Sequence, residues 1–477
     1  MLVGREHEVR ELNRLFESGE AELVAIYGRR RVGKTYLVDE TFSGHITFRH
    51  AGLSPADGMT GTSLRVQLEH FAQSLELQGA EVPRRPESWL EAFFLLEKHL
   101  QKIDNGKRQV VFLDELPWLD TPRSGFLGAF EAFWNGWGCH RRNLMVIVCG
   151  SATSWVLDRL VNNHGGLYNR LTYEIKLAPF NLRECEQLLD SRHVNLSRYD
   201  IAQAYMVFGG IPYYLGYLEG SSSLAQNIDT IVFARGAKLR NEFDRLFDSV
   251  FTNPEAEKAI VRFLYTRRRG YKRAEIADGL GISDGGRFSR NLKALIASDF
   301  VERYVPFGYG AREEHYRLID PFCLFYLHFV DGARGLSDRY WQERIDAQPV
   351  VTWRGLAFEN LCFNHVEQIK AALGVSGVRT TCSAWQVRDG ERGGAQIDLL
   401  LQRGDNVVNA CECKFYSGEF AVDKSYYQVL LGRQQQLAEK LPRKMSVQPT
   451  LITTFGLGQN QYRWAFANII TLDDLFV

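Results

Sequence analysis

Over the first 180 residues, short apolar runs alternate with helix-length amphipathic stretches, a pattern that predicts a parallel sheet with crossover helices. The expected strands are residues 23–27, 46–48, 110–113, 145–149 and 174–177. Between the second and third lies a polar insert, residues 52–85, without a clear period. Residues 181–250 read as helices interrupted by Gly209-Gly210-Ile211-Pro212, which suggests a small helical lid on the preceding core. Across 251–320, three helix-length segments precede two strand-like ones separated by Phe307-Gly308-Tyr309-Gly310, the order of a winged helix-turn-helix. An aromatic helical connector, 321–349, leads into mixed α/β sequence over 350–477. There a helix at 356–372 precedes strands at 383–387, 396–401 and 407–414, a helix at 423–439 and a strand at 450–455.

A chain of 477 residues with this changing pattern is multidomain α/β. Its 57 basic and 57 acidic side chains cancel, so any surface for nucleic acid must be local. The opening residues lack the charged and apolar segments of a secretion leader, and the longest aromatic-apolar stretch, 318–330, is too short to span a bilayer. The eight cysteines are scattered, and no His or Cys stands at zinc spacing. A reducing cytoplasm and no membrane partner are expected.

Gly28-Arg29-Arg30-Arg31-Val32-Gly33-Lys34-Thr35 follows an apolar run and precedes a helix-compatible one. GxxxxGKT in that setting is a phosphate-binding loop: glycines let successive N–H groups face the phosphates at the positive end of the next helix. Lys34 is expected on the β- and γ-phosphates and Thr35 on Mg²⁺. Arg29, Arg30 and Arg31 are expected to be solvated or bridging, with one free to touch a phosphate. The apolar run 110–113 ends in Asp114-Glu115; Asp114 would hold the metal and Glu115 would deprotonate the attacking water.

With these motifs, residues 1–250 resemble the archaeal-type AAA+ P-loop ATPases close to the STAND class. The resemblance implies ATP as the nucleotide. Val3-Gly4-Arg5-Glu6 is similar to the segment that flanks the adenine there, which assigns Gly4 and Arg5. The run 145–149 leading to Ser151 looks like the sensor strand, with Ser151 near the γ-phosphate. Leu167-Tyr168-Asn169-Arg170-Leu171 sits where the family carries an arginine near the nucleotide, so Arg170 would neutralise charge within the chain or across a boundary in a homo-oligomer. The 209–212 segment resembles the STAND lid motif, with Pro212 reporting nucleotide state.

From Val261 to Arg317 there are twelve Lys/Arg against seven Asp/Glu. That local excess favours phosphate contact, and Arg287, Arg290 and Lys293 would lie on the helix offered to a DNA groove. The same architecture also serves as a protein-interaction spacer.

In the last segment, Gln396-Ile397-Asp398 is followed across a turn at Gly404-Asp405-Asn406 by Cys411-Glu412-Cys413-Lys414. Side chains alternate along a strand, so Glu412 and Lys414 share one face and could serve a metal together with Asp398. This order resembles the PD-(D/E)xK nuclease fold, the restriction-endonuclease-like domain fused to archaeal-type ATPases. The resemblance implies Mg²⁺ on Asp398 and Glu412, a charge-stabilising Lys414, Glu359 on the first core helix and Gln428 on the helix after the lysine. Isoleucine replaces the proline of the pattern before Asp398. His315 and His365 stand alone and read as structural.

The sequence therefore leads to ATP binding and hydrolysis coupled to Mg²⁺-dependent cleavage of nucleic acid, DNA first. Its alternative is a STAND-like ATP-dependent switch whose last domain binds nucleic acid or protein without cutting.

Overall fold

The computed structural model of the chain describes residues 2–54, 63–151, 153–161, 170–251, 254–310, 313–387 and 395–477. It divides into two compact units. One comprises Met1–Ala178, Asp244–Glu257 and Arg290–Asp299; the other comprises Pro179–Phe243, Lys258–Ser289 and Phe300–Val477.

The first unit is built on a parallel sheet of β1 (Glu22–Tyr27), β2 (Ile46–Ala51), β3 (Gln109–Asp114), β4 (Leu144–Gly150) and β5 (Tyr173–Lys176), in the order β2-β3-β4-β1-β5. Strands β1, β3 and β4 are buried along their whole length, which is why they read as unbroken apolar runs rather than alternations. β4 lies between β1 and β3, so the strand leading to the phosphate loop and the strand ending in Asp114 are not neighbours.

The polar insert resolves in part into a helix, Leu64–Leu77, that buries Leu68, Phe71 and Leu75. It packs with a second helix, Trp89–Lys102, in a core rich in aromatic contacts, where Phe71 meets Trp89 edge-on at 5.5 Å between ring centroids. Residues 55–62 of the insert and Leu167-Tyr168-Asn169 of the arginine segment lie outside the described residues.

The second unit begins with helices Leu182–Ser191 and Arg198–Phe208. Gly209 and Gly210 end the latter with φ of 72° and 63°. A Cβ on Gly210 would stand 2.2 Å from the Phe180 carbonyl oxygen, so the turn needs glycine for space as well as for its dihedral. Pro212 then opens a short helix, Pro212–Leu215.

The segment expected as helices followed by a hairpin contains helices Pro254–Tyr265, Arg273–Leu280 and Gly286–Ala297 and strands β6 (Tyr271–Lys272), β7 (Val301–Tyr304) and β8 (His315–Leu318). The sequence reading missed β6, which is two residues long and pairs with β8.

The carboxyl-terminal sheet has the order β13-β12-β11-β10-β9, with β9 (Thr380–Val387), β10 (Ala395–Arg403), β11 (Val407–Lys414), β12 (Ser446–Thr453) and β13 (Asn468–Thr471). The first three strands form an antiparallel meander, and β12 and β13 add in parallel. The single helix expected at 356–372 is two, Gln348–Asn364 and Val366–Ala372, separated at His365. That histidine is fully buried: its Nδ1 donates to the Leu361 carbonyl at 2.9 Å and its Nε2 accepts from the Leu182 amide at 3.0 Å. The eight cysteines are free thiols. Among the described residues no helix is long and apolar enough to cross a membrane.

Candidate functional site

Two clusters of ionisable side chains, one in each unit, gather many of the residues singled out by the sequence.

In the first, the loop after β1 runs into the helix Lys34–Thr41, whose N-cap Gly33 has φ 94°. Gly28 approaches the strand end after β5 so closely that a Cβ would meet the Leu177 carbonyl oxygen at 2.3 Å. Lys34 is buried and curls over the loop, its Nζ donating to the carbonyls of Gly28 and Arg29 at 3.0 Å each. Burial lowers the pKa of this ammonium, against the attraction of Glu115 and other acidic neighbours. Thr35 Oγ1 donates to Asp114 Oδ2 at 2.7 Å, so the two oxygens expected on a metal ion are already adjacent. A hydroxyl and a carboxylate are the hard donors that magnesium accepts.

Glu115 follows with φ 45°, a left-handed backbone rare outside glycine. Its carboxylate does not point away alone. Ser151, just beyond β4, donates from its hydroxyl to Oε1 at 2.8 Å and from its amide to Oε2 at 3.2 Å. The polar residue assigned to the phosphate thus bonds to the carboxylate assigned to the water.

Of the three arginines expected to be solvated or bridging, Arg29 is not solvated, being only 1% exposed; Arg30 and Arg31 are partly buried. Val32 is buried beneath the loop. Gly4 and Arg5 both have left-handed backbones, and Arg5 is buried with Nη2 donating to the Ala178 carbonyl at 2.6 Å and to the Val32 carbonyl at 3.4 Å. It therefore braces the phosphate loop against the segment after β5, a role the sequence did not reveal. Arg170 is exposed in the turn before β5. Lys293 is paired with Asp158 within the same unit, so this member of the expected DNA-contacting set is engaged by a carboxylate.

The second cluster stands on β10 and β11. Their register pairs Leu399 with Cys411, which sets Asp398 opposite Glu412 on one face. Both are buried. Asp398 Oδ2 accepts from the Cys413 amide at 3.1 Å. Its carboxyl is pushed up to about 7, by burial first and then by the charges of Glu412 and Glu359. Burial also raises Glu412, but Lys414 and Arg433 outweigh it and hold the carboxyl below its ordinary value. Lys414 Nζ lies 2.6 Å from Glu412 Oε1, Arg433 Nη1 lies 2.9 Å from Oε2, and the Tyr426 hydroxyl donates to Oε1. Glu359 accepts from Arg268 at 2.9 Å.

Gln428 is not brought to this cluster. It is exposed on the helix Lys424–Ala438, whereas Tyr426 and Arg433 of that helix reach Glu412. Two residues of helix turn a side chain by roughly 200°, which puts Gln428 on the far side from Tyr426. The signal for the correct pair was present: Tyr426, Leu430, Arg433 and Leu437 recur at helical spacing, an arginine within an otherwise core-facing stripe. Among the described residues no group of three or more His, Cys, Asp or Glu is arranged to hold a metal ion.

The profile of the ATPase_2 family, an ATPase domain predominantly from Archaea, matches residues 2–218. Uncharacterized protein MJECL04 of Methanocaldococcus jannaschii is 25% identical over 334 residues, 69% of either chain. Among solved structures, the Walker-type ATPase PABY2304 of Pyrococcus abyssi is similar with a TM-score of 0.49 and 17% identity, over 68% of this chain and 96% of that one. The ORC2 protein of Aeropyrum pernix is similar with a TM-score of 0.43 and 15% identity, over 72% and 96%. Residues 2–218, which contain the phosphate loop, Asp114, Glu115 and Ser151, thus match an archaeal-type ATPase domain.

Proposed function

We propose that this protein hydrolyses ATP at Lys34, Thr35, Asp114 and Glu115 and couples it to magnesium-dependent cleavage of nucleic acid, DNA above all, at Asp398, Glu412 and Lys414. The observation that carries the second half is the cross-strand placement of Asp398 and Glu412, with Lys414 at 2.6 Å from the latter.

At the phosphate loop, Thr35 and Asp114 would hold the magnesium ion that accompanies ATP, which neutralises phosphate charge when bound. Lys34 binds the β- and γ-phosphates, Glu115 takes the proton of the attacking water, and Ser151 keeps Glu115 aimed. Gly4 and Arg5 flank the adenine. Arg170 meets the γ-phosphate, either in its own chain or in a neighbouring copy. Residues 181–250 act as the lid through Pro212, and 251–320 act as a winged helix-turn-helix.

At the carboxyl-terminal cluster, Asp398 and Glu412 offer hard oxygen donors whose mutual repulsion a divalent cation would relieve. Magnesium there would supply a Lewis acid and a more acidic water. Lys414 steadies the negative charge that develops on the phosphate, and Glu359 orients the same face.

The test is incubation of the full chain with plasmid, linear and single-stranded DNA and with RNA, in Mg²⁺ or Mn²⁺. Metal-dependent cutting is expected, lost in a Glu412→Gln/Lys414→Ala double variant. Cutting that survives in that variant rejects the site.

A second reading draws on the crowding of Glu412, which already accepts from Lys414, Arg433 and Tyr426. So saturated a carboxylate suits a STAND-like switch that binds nucleic acid or protein without cutting. Tight, ATP-dependent binding with no cleavage in either metal selects it.

A further inference from the structure

The second unit contains a cavity of about 900 Å³ into which Asp398 and Glu359 both face. Its volume lies in the range of pockets that enclose a small ligand, roughly 300–1,000 Å³. A lone metal ion would leave it nearly empty. The cavity is half open, and its volume suits one nucleotide better than a base pair with two backbones.

The lining has two chemistries. Arg267, Arg268 and Lys272 come from the turn and short strand after the helix Pro254–Tyr265, while Tyr304, Tyr309 and Trp385 line it from β7, the segment after it and β9; Tyr309 is half-exposed and the other two are largely buried. Cations for a phosphate and ring faces for a base are the two halves of single-strand recognition. The cations are paired with carboxylates: Arg268 with Glu359 at 2.9 Å, Arg267 with Glu275 at 2.8 Å and Lys272 with Glu313 at 2.8 Å. These cations remain 42%, 38% and 44% exposed; Glu275 and Glu313 are equally open, so their pairs are weak and solvent-screened, while Glu359, 19% exposed, makes the Arg268 pair the tightest of the three that a phosphate would have to replace. Lys272 also sits 5.7 Å from the centroid of the half-exposed Tyr309 ring, which joins the two chemistries at one point.

We propose that this cavity takes an unpaired nucleotide of a single-stranded nucleic acid, its base against the exposed Tyr309 ring and its phosphate on the Arg267–Lys272 segment, so that the strand passes Asp398. Arg268 acts as a latch: a phosphate that draws it from Glu359 exposes that carboxylate to the cavity. The inference deepens the nuclease reading and rests on it for what happens after binding. It also accounts for the Arg267-Arg268-Arg269 run, which the helix of a groove-reading module does not use.

Binding can be separated from cutting by removing divalent metal. A fluorescein-labelled single strand of fifteen thymidines, titrated with the full chain in EDTA, is expected to bind roughly ten-fold or more tightly than a blunt duplex of equal length. Tyr309→Ala and Arg268→Gln alter exposed side chains and leave the core intact. Each is expected to weaken single-strand binding roughly five-fold or more, and Arg268→Gln to flatten the salt dependence. Duplex binding as tight as the single strand overturns the proposal. So does unchanged affinity in both variants, or thymidine monophosphate binding as tightly as the strand. Single-strand binding in EDTA without cleavage in Mg²⁺ leaves the cavity standing and rejects the nuclease reading. Cleavage of duplex that is indifferent to both variants does the reverse.

Discussion

Ser151 and Glu115 are joined by two hydrogen bonds, hydroxyl to Oε1 at 2.8 Å and amide to Oε2 at 3.2 Å, so the end of β4 fixes the carboxylate offered by the end of β3. The backbone of Glu115 is left-handed, a conformation that costs about 1–3 kcal/mol and persists only when its surroundings hold it. Ser151→Ala removes the stronger of the two bonds and keeps the amide. ATP turnover is expected to fall roughly ten-fold or more, since a hydrogen bond to a charged group contributes about 1.5–3 kcal/mol. Nucleotide affinity, followed with a fluorescent ATP analogue, should stay within about two-fold. An unchanged kcat would remove Ser151 from the machinery.

Binding and hydrolysis should separate between Lys34 and Glu115. Lys34 is buried against the loop carbonyls, and Lys34→Ala is expected to abolish ATP binding in a titration of the full chain. Glu115→Gln keeps the shape of the side chain and loses the base, so binding should persist while phosphate release falls by roughly 10²- to 10⁴-fold. Normal hydrolysis in Glu115→Gln would move the general base elsewhere.

Acid should destabilise the second unit through His365. Burial holds its imidazole down to about 4 from an ordinary 6.5. Between those values the unfolded chain binds a proton that the folded chain refuses. The stabilising contribution is therefore complete above about pH 6.5 and is lost as pH falls toward 4, a total of about 3 kcal/mol. Comparing urea midpoints at pH 7 and pH 5 for the natural chain and His365→Gln checks this. The variant should be less stable at pH 7 and should lose less on acidification, against the common background of His50, which is also held neutral, at about 3. An identical acid loss in both proteins contradicts the assignment.

Truncating Glu412 should harm the fold as well as the site. Glu412→Ala would leave Lys414 and Arg433 facing each other without their shared acid. Breaking a fully buried pair costs about 3–5 kcal/mol; here both cations keep about a quarter of their surface in water, so about 2 kcal/mol is expected. Glu412→Gln retains the hydrogen bond from Tyr426 and should lose less in a thermal melt. Equal melting of Glu412→Ala and the natural chain would show that the ion pairs contribute nothing.

The strands of the first unit were legible because burial on both faces leaves an uninterrupted apolar run: β1, expected at 23–27, spans Glu22–Tyr27. The helix Leu64–Leu77 was not, because its buried stripe, which includes Leu68, Phe71 and Leu75, is blurred by buried Gln67 and by exposed Val66 and Leu77. The phosphate loop was legible as a string of adjacent residues. The brace from Arg5 to Val32 was not, since it joins positions far apart in the chain that only folding brings into contact. Asp398, Glu412 and Lys414 could be placed from strand alternation and one turn. Tyr426 and Arg433 required the phase of a helix, and a match by chain order selected Gln428 on its wrong side.

β4 is hydrogen-bonded to β1 along one edge and to β3 along the other. A slip of one residue would turn its buried side chains over on both ladders at once, so the sheet behaves as a rigid plate. News that the phosphate loop is occupied therefore cannot be carried by sliding strands. It has to leave through the segments beyond the strand ends. Past β4, a helical turn, Thr153–Val156, passes directly into a π-helical turn, Leu157–Val161, whose Asp158 grips Lys293. Single π-helical turns are rare and occur frequently at functional sites, and this one joins the end of β4 to the Asp158–Lys293 pair.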